Sequence, residues 1–204
     1  MLESLISFSI ATILLAFSPG PDNLYVITQS LVNGTKSGIA TTLGLVTGCI
    51  VHTTLLAFGV SAIISASYVL FYIFKVIGAF YLLYLAYQVF KSETTLKLNT
   101  TITKKSPFGL FKQGILMNLM NPKILIFFLA FFPGFLWDKT ENIILQLYIL
   151  GIIFMLISFT VFSFLAFLAG YISLSLTKNQ AVSSFLKWLQ IIVFVGIAIF
   201  ILIP

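Results

Sequence analysis

The chain has 204 residues, of which 60% are hydrophobic and only 8% charged, against roughly 25% charged in an average soluble domain. So few charges could not cover a water-soluble globule of this size, so lipid must be the solvent for most of the chain. The net charge of +6 comes from lysines gathered in short intervals between apolar runs, a pattern that encodes membrane topology and excludes a basic nucleic-acid-binding face.

Six apolar runs are long enough to cross a hydrocarbon core of about 30 Å, which takes about 20 helical residues. The first covers about 5–31. Its leading end carries Glu3 and no basic residue, and the small-x-small stretch Ala16-Phe17-Ser18 runs into Pro19. It is therefore expected to be a retained span rather than a cleaved signal peptide. The turn-forming stretch Asn33-Gly34-Thr35-Lys36 leads to the second run, about 38–64, and Ser65-Ala66-Ser67 reverses the chain into the third, about 68–90. A Thr- and Lys-rich connector over 91–107 separates three further runs at about 108–136, 143–171 and 188–203. These are continuous apolar stretches without period-2 alternation, which excludes a β-barrel.

The expected fold is an all-α polytopic membrane protein with six transmembrane helices, built from a first three-helix repeat over 1–90 and a second over 108–204. Lys36, Lys91, Lys97, Lys104, Lys105, Lys112, Lys178 and Lys187 fall on one side and Lys139 alone on the other. The positive-inside rule makes the 91–107 loop cytoplasmic and puts both termini outside the cytoplasm. Three spans per half would enter the membrane in opposite senses, the plan of an inverted repeat. Ser18-Pro19 lies 103 residues before Asn121-Pro122, and Gly48 precedes Gly151 by the same 103.

The chemistry concentrates where the first and fourth helices are expected to break. In Ser18-Pro19-Gly20-Pro21-Asp22-Asn23, Pro19 and Pro21 lack amide hydrogens and clash one turn back, while Pro21 suits the first position of a restarted half-helix. Asp22 is a carboxylate at membrane depth, where such groups usually face an interior site or a proton path. It also suits a first helical turn. The second break reads Asn118-Leu119-Met120-Asn121-Pro122-Lys123, where the asparagines can bond to released backbone groups and Lys123 brings a charge within the span. His52, one turn after Gly48, is a candidate for proton coupling, beside a structural reading as an interhelical hydrogen-bonding group. Lys75 suits snorkelling. Gly44-x-x-x-Gly48 suits close helix packing. Cys49 is the lone cysteine, so no disulfide, thiolate cluster or CxxC chemistry is available.

These residues resemble a known family. Ser18-Pro19-Gly20-Pro21-Asp22-Asn23, the glycines from Gly38 to Gly59, Lys75-x-x-Gly78-Ala79-x-Tyr81-Leu82-x-Tyr84-Leu85, Phe111-x-x-Gly114, Asn118 and Asn121-Pro122-Lys123 are similar to the lysine exporter and threonine/homoserine exporter family. Ala86 departs from it, standing where a glycine is common. The resemblance implies a bacterial inner-membrane exporter of amino acids or their derivatives, driven by the proton gradient, with no cofactor. A homo-oligomer is compatible with it. The substrate site is expected at Ser18, Gly20, Asp22, Asn23, Asn118, Asn121 and Lys123. On this reading the half-helix N-terminus takes the substrate carboxylate, Ser18 and Asn121 help to hold the ammonium, and Asp22 exchanges a proton. The alternatives are an exporter of a metal or other inorganic ion, for which the ligand set is poor, and a non-catalytic membrane scaffold, which leaves the paired breaks unexplained. An intramembrane hydrolase would need a Ser-His pair or a His/Glu metal cluster, but His52 has no evident acidic orienter and no HExxH occurs.

Overall fold

The structure is a computed structural model, and it describes residues 1–17, 20–92, 105–138, 140–169 and 180–202. Every regular element among them is helical. In chain order these are α1 (Leu2–Phe17), α2 (Pro21–Asn33), α3 (Thr35–Ala66), α4 (Tyr68–Lys91), α5 (Pro107–Met120), α6 (Pro122–Phe131), a 3-10 turn (Phe132–Phe135), α7 (Ile143–Ala169) and α8 (Gln180–Leu202). By length and composition, α3, α4 and α7 can each cross a membrane, and the bent pair α1–α2 makes a fourth candidate.

Local chemistry sets the junctions. Only Gly34 separates α2 from α3, and its φ of +85° lies where a side chain is strained. Ser67, with extended backbone, ends α3 and starts α4, its hydroxyl oxygen accepting from the Leu70 amide at 3.4 Å. Ser106 precedes Pro107, is extended as a residue before proline must be, and caps α5 by accepting from Gly109 N at 3.1 Å. The helix that holds Pro133-Gly134 tightens there into the 3-10 turn Phe132–Phe135.

Beyond that turn, Asp138 Oδ1 accepts from the Thr140 amide (2.8 Å), the Thr140 hydroxyl (2.7 Å) and the Glu141 amide (3.0 Å). The Gln146 side chain ties the same turn to α7: it accepts from the Trp137 and Asp138 amides and donates to the Asp138 and Glu141 carbonyls. The Thr140 hydroxyl and amide and the Glu141 amide hold the Asp138 carboxyl below its usual range.

Helix α3 is central. It packs along α5 and α7 and also meets α2, while α4 packs along α8. Helices α3 and α5 cross with backbone against backbone. A Cβ on Gly114 would stand 2.5 Å from the Thr41 carbonyl oxygen, 2.9 Å from Leu45 N and 3.0 Å from Gly44 Cα. Small residues permit such an approach in lipid, where packing rather than water expulsion drives helix association. The opposite flank is aromatic. Phe131 stacks on Phe8 (ring centroids 5.1 Å apart) and Phe127 (4.7 Å) and lies against Phe135, while Phe128 meets Phe132 and Phe154. Aromatic pairs of this kind add about 0.5–1.5 kcal/mol each beyond their burial. They fix α6 against α1 and α7.

Candidate functional site

The first break falls where the prolines place it. Gly20 is extended (φ −149°, ψ 172°), α2 restarts at Pro21, and Gly20 supplies no side-chain cap. Helices α1 and α2 are bent by 57°. Ser18 and Pro19 lie outside the described residues. A carbonyl released at such a break must find a donor, because lipid offers none. Asn23 supplies one: its Nδ2 reaches back over the break to the Ala16 carbonyl at 2.7 Å.

The second break is at Asn121, whose ψ of 98° leaves the helical range between α5 and α6. A proline removes the hydrogen bond that its amide would give to the residue four positions back. For Pro122 that residue is Asn118. The Asn118 carbonyl is satisfied otherwise, by the Asn121 amide at 3.2 Å and by His52 Nε2 at 3.1 Å. A carbonyl oxygen only accepts, so Nε2 must carry the hydrogen. His52 Nδ1 is buried without a hydrogen-bond partner among the described residues.

The Asn118 side chain is also held. Its Nδ2 donates to Cys49 Sγ at 3.4 Å, and its buried Oδ1 has no partner among the described residues. Gly48 makes room for it, since a Cβ there would lie 2.6 Å from Oδ1.

The two breaks meet at one cavity of about 110 Å³. A single water needs about 10–15 Å³ on the same kind of measure, so the space suits a molecule of several non-hydrogen atoms. Gly20, Pro21, Asp22 and Asn23 line it from the first break, and Asn118 and Asn121 from the second. Helix α3 adds Leu45, Val46 and Cys49; α7 adds Phe154, Ser158 and Phe162; α8 adds Gln190 and Phe194. Leu15, Ala16, Ile124 and Phe127 complete the wall. Asp22 is the only acid among these lining residues.

Five of the seven residues expected at the substrate site therefore share one cavity, Gly20, Asp22, Asn23, Asn118 and Asn121, and the helix-breaking Pro21 lines it too. His52 is not on its wall but bonds to the backbone of Asn118, which is. The side chains of Pro122 and Lys123 lie outside what the structure describes, although both begin α6. Lys75 lies in α4, half-buried. Among the described residues, no three His, Cys, Asp or Glu side chains group to hold a metal ion.

Sequence reasoning missed Ser158 and Gln190. One signal was there: Gln190 is the only amide side chain in the apolar run 188–203.

A family model described as LysE type translocator matches residues 13–204. A homoserine/homoserine lactone efflux protein of Salmonella typhimurium is 32% identical over 167 residues, covering 82% of this chain and 81% of the relative. A leucine efflux protein of Salmonella choleraesuis is 28% identical over 193 residues, covering 94% and 91%. A Vibrio cholerae protein described as an uncharacterized membrane protein is 30% identical over 147 residues, covering 72% and 71%. No solved structure matches the chain.

Proposed function

Because the chain belongs to the LysE type translocator family, and is thus a multi-pass membrane transporter and not an enzyme, we propose that it exports amino acids or their derivatives from the cytoplasm by proton antiport. The carrying observation is the convergence of both helix breaks on one small cavity with Asp22 in its wall. The efflux of homoserine and of leucine named for two relatives agrees with a cargo of this size.

A zwitterion suits the cavity. Its carboxylate faces the first-turn amides of α2, where the helix dipole favours an anion. Its ammonium faces Asp22 and the amide oxygens of Asn118 and Asn121. Ser18 and Lys123, which flank the breaks, belong to the same proposed site. Asp22 exchanges its bound proton for the cargo, and His52 Nδ1 is the atom through which the second break would feel that proton.

Six crossings are part of the proposal. Helices α5 and α6, 14 and 10 residues long, together give about 36 Å of helix at ~1.5 Å per residue, and the 23-residue α8 is also long enough. The repeat is supported where α3 packs on α7 and α4 on α8, because elements related by a two-fold axis meet at that axis. The proposed repeats are 1–90 and 108–204. The lysine distribution supports a cytoplasmic 91–107 connector with both termini outside, and the family resemblance supports a bacterial inner membrane.

The test is expression in cells fed mixed dipeptides, measuring the free amino acids that appear outside. One or more should accumulate above the level of cells carrying an empty vector. Equal levels of every amino acid would remove the export reading.

A further inference from the structure

We propose that Ser158 and Gln190 read the side chain of the cargo, selecting a short, uncharged one that carries a hydroxyl or another neutral hydrogen-bonding group. This rests on the export reading and adds to it which part of the cavity does the selecting. The backbone groups of any amino acid are accounted for by the two breaks, which leaves the wall formed by α7 and α8 for whatever distinguishes one amino acid from another.

That wall alternates aromatic and polar. Phe154, Ser158 and Phe162 recur at one-turn intervals on α7, and Gln190 and Phe194 do so on α8, so each set lies on one helix face. Ser158 and Gln190 are 4% and 6% exposed, and both line the cavity. Thr160 on α7, by contrast, bonds back to the Leu156 carbonyl at 2.8 Å and does not line the cavity.

A buried polar group left unpaired by its ligand costs binding. A site lined with such groups therefore discriminates against a cargo that cannot pair with them, far more than an apolar pocket discriminates against an added hydroxyl. Charge is refused for a different reason. Asp22 is the only carboxylate among the described lining residues, and the cargo's own ammonium uses it. A cationic side chain would enter without a counter-charge.

The experiment uses the purified full chain in proteoliposomes loaded with equal concentrations of threonine, valine and lysine. Threonine and valine differ only by a hydroxyl in place of a methyl group. Threonine should leave at least about tenfold faster than valine, the factor set by leaving one buried polar group unpaired, with lysine at the level of empty liposomes. Gln190→Leu and Ser158→Ala should each bring the threonine-to-valine ratio towards one. The ratio does not depend on how much folded protein a variant supplies, and Ser158→Ala removes a single oxygen should Gln190→Leu fail to fold. An unchanged ratio in the variants that transport, or lysine leaving as fast as threonine, overturns the assignment. Release of none of the three by the unsubstituted protein counts instead against the export reading.

Discussion

His52 Nε2 donates a 3.1 Å hydrogen bond to the carbonyl oxygen of Asn118, the group that Pro122 leaves without its intrahelical donor. A histidine on one helix thus repairs a lesion that a proline makes in another. His52→Leu removes one of the two donors to this carbonyl and leaves it the Asn121 amide, at a cost of about 0.5–1.5 kcal/mol. His52→Gln keeps an N–H within reach. The glutamine variant should retain export and thermal stability in detergent well above the leucine variant. Equal loss in both would show that the ring itself, through Nδ1, carries the function.

Asp22→Asn keeps the shape of the cavity wall and removes the charge. The variant should insert into the membrane in normal amount, while export driven by a proton gradient falls to the empty-vector level. Gradient-driven export in membrane vesicles is the measurement, and undiminished export would take Asp22 out of the coupling role.

Gly114→Ala and Gly48→Ala each add one methyl group to the interfaces of α3 and α5, with different outcomes. At Gly114 the methyl meets backbone on the facing helix, 2.5 Å from the Thr41 carbonyl oxygen, and backbone cannot turn aside. At Gly48 it meets the Asn118 side chain, which can. Overpacking of the first kind costs about 1–3 kcal/mol. Thermal unfolding in detergent should therefore be lowered more by Gly114→Ala, and export per folded molecule more by Gly48→Ala, which displaces a residue of the cavity.

Asp138 gives a pH signature outside the proposed spans. Its carboxyl is held below the usual range in the folded turn by the Thr140 hydroxyl and amide and the Glu141 amide. A depressed folded pKa means a contribution that is complete above the unfolded value and lost as pH falls through the folded one. Hydrogen exchange at the Thr140 and Glu141 amides, corrected for intrinsic rates, should stay slow at neutral pH and quicken only in strongly acid solution. In Asp138→Ala, which has no acceptor, it should be fast throughout.

What was legible in the sequence was local. A proline announces its own break, so the positions of Pro21 and Pro122 fixed where α2 and α6 begin. The turns at Gly34 and Ser67 follow from backbone freedom and capping in the same way. Asp22 stood out because an acid inside an apolar run is costly wherever the run packs. The remainder depends on which helix lies beside which. Nothing near His52 in the chain points to Asn118, which is 66 residues away. Ser158 and Gln190 look like ordinary polar interruptions until α7 and α8 close on the breaks. Asn23 was read as a residue for cargo, and its reach back to the Ala16 carbonyl adds a second duty within its own span.

The two breaks are mended differently, and the difference bears on how the protein is made. Asn23 mends the first from seven residues further along, so that span carries its own repair as it leaves the ribosome. The second borrows one of its two donors from α3, which must already be in the membrane. Synthesis from the N-terminus delivers the parts in that order. Supplied as a separate chain without the first half, the second half would have to wait with the Asn118 carbonyl held by the Asn121 amide alone, a looser break until its partner arrives.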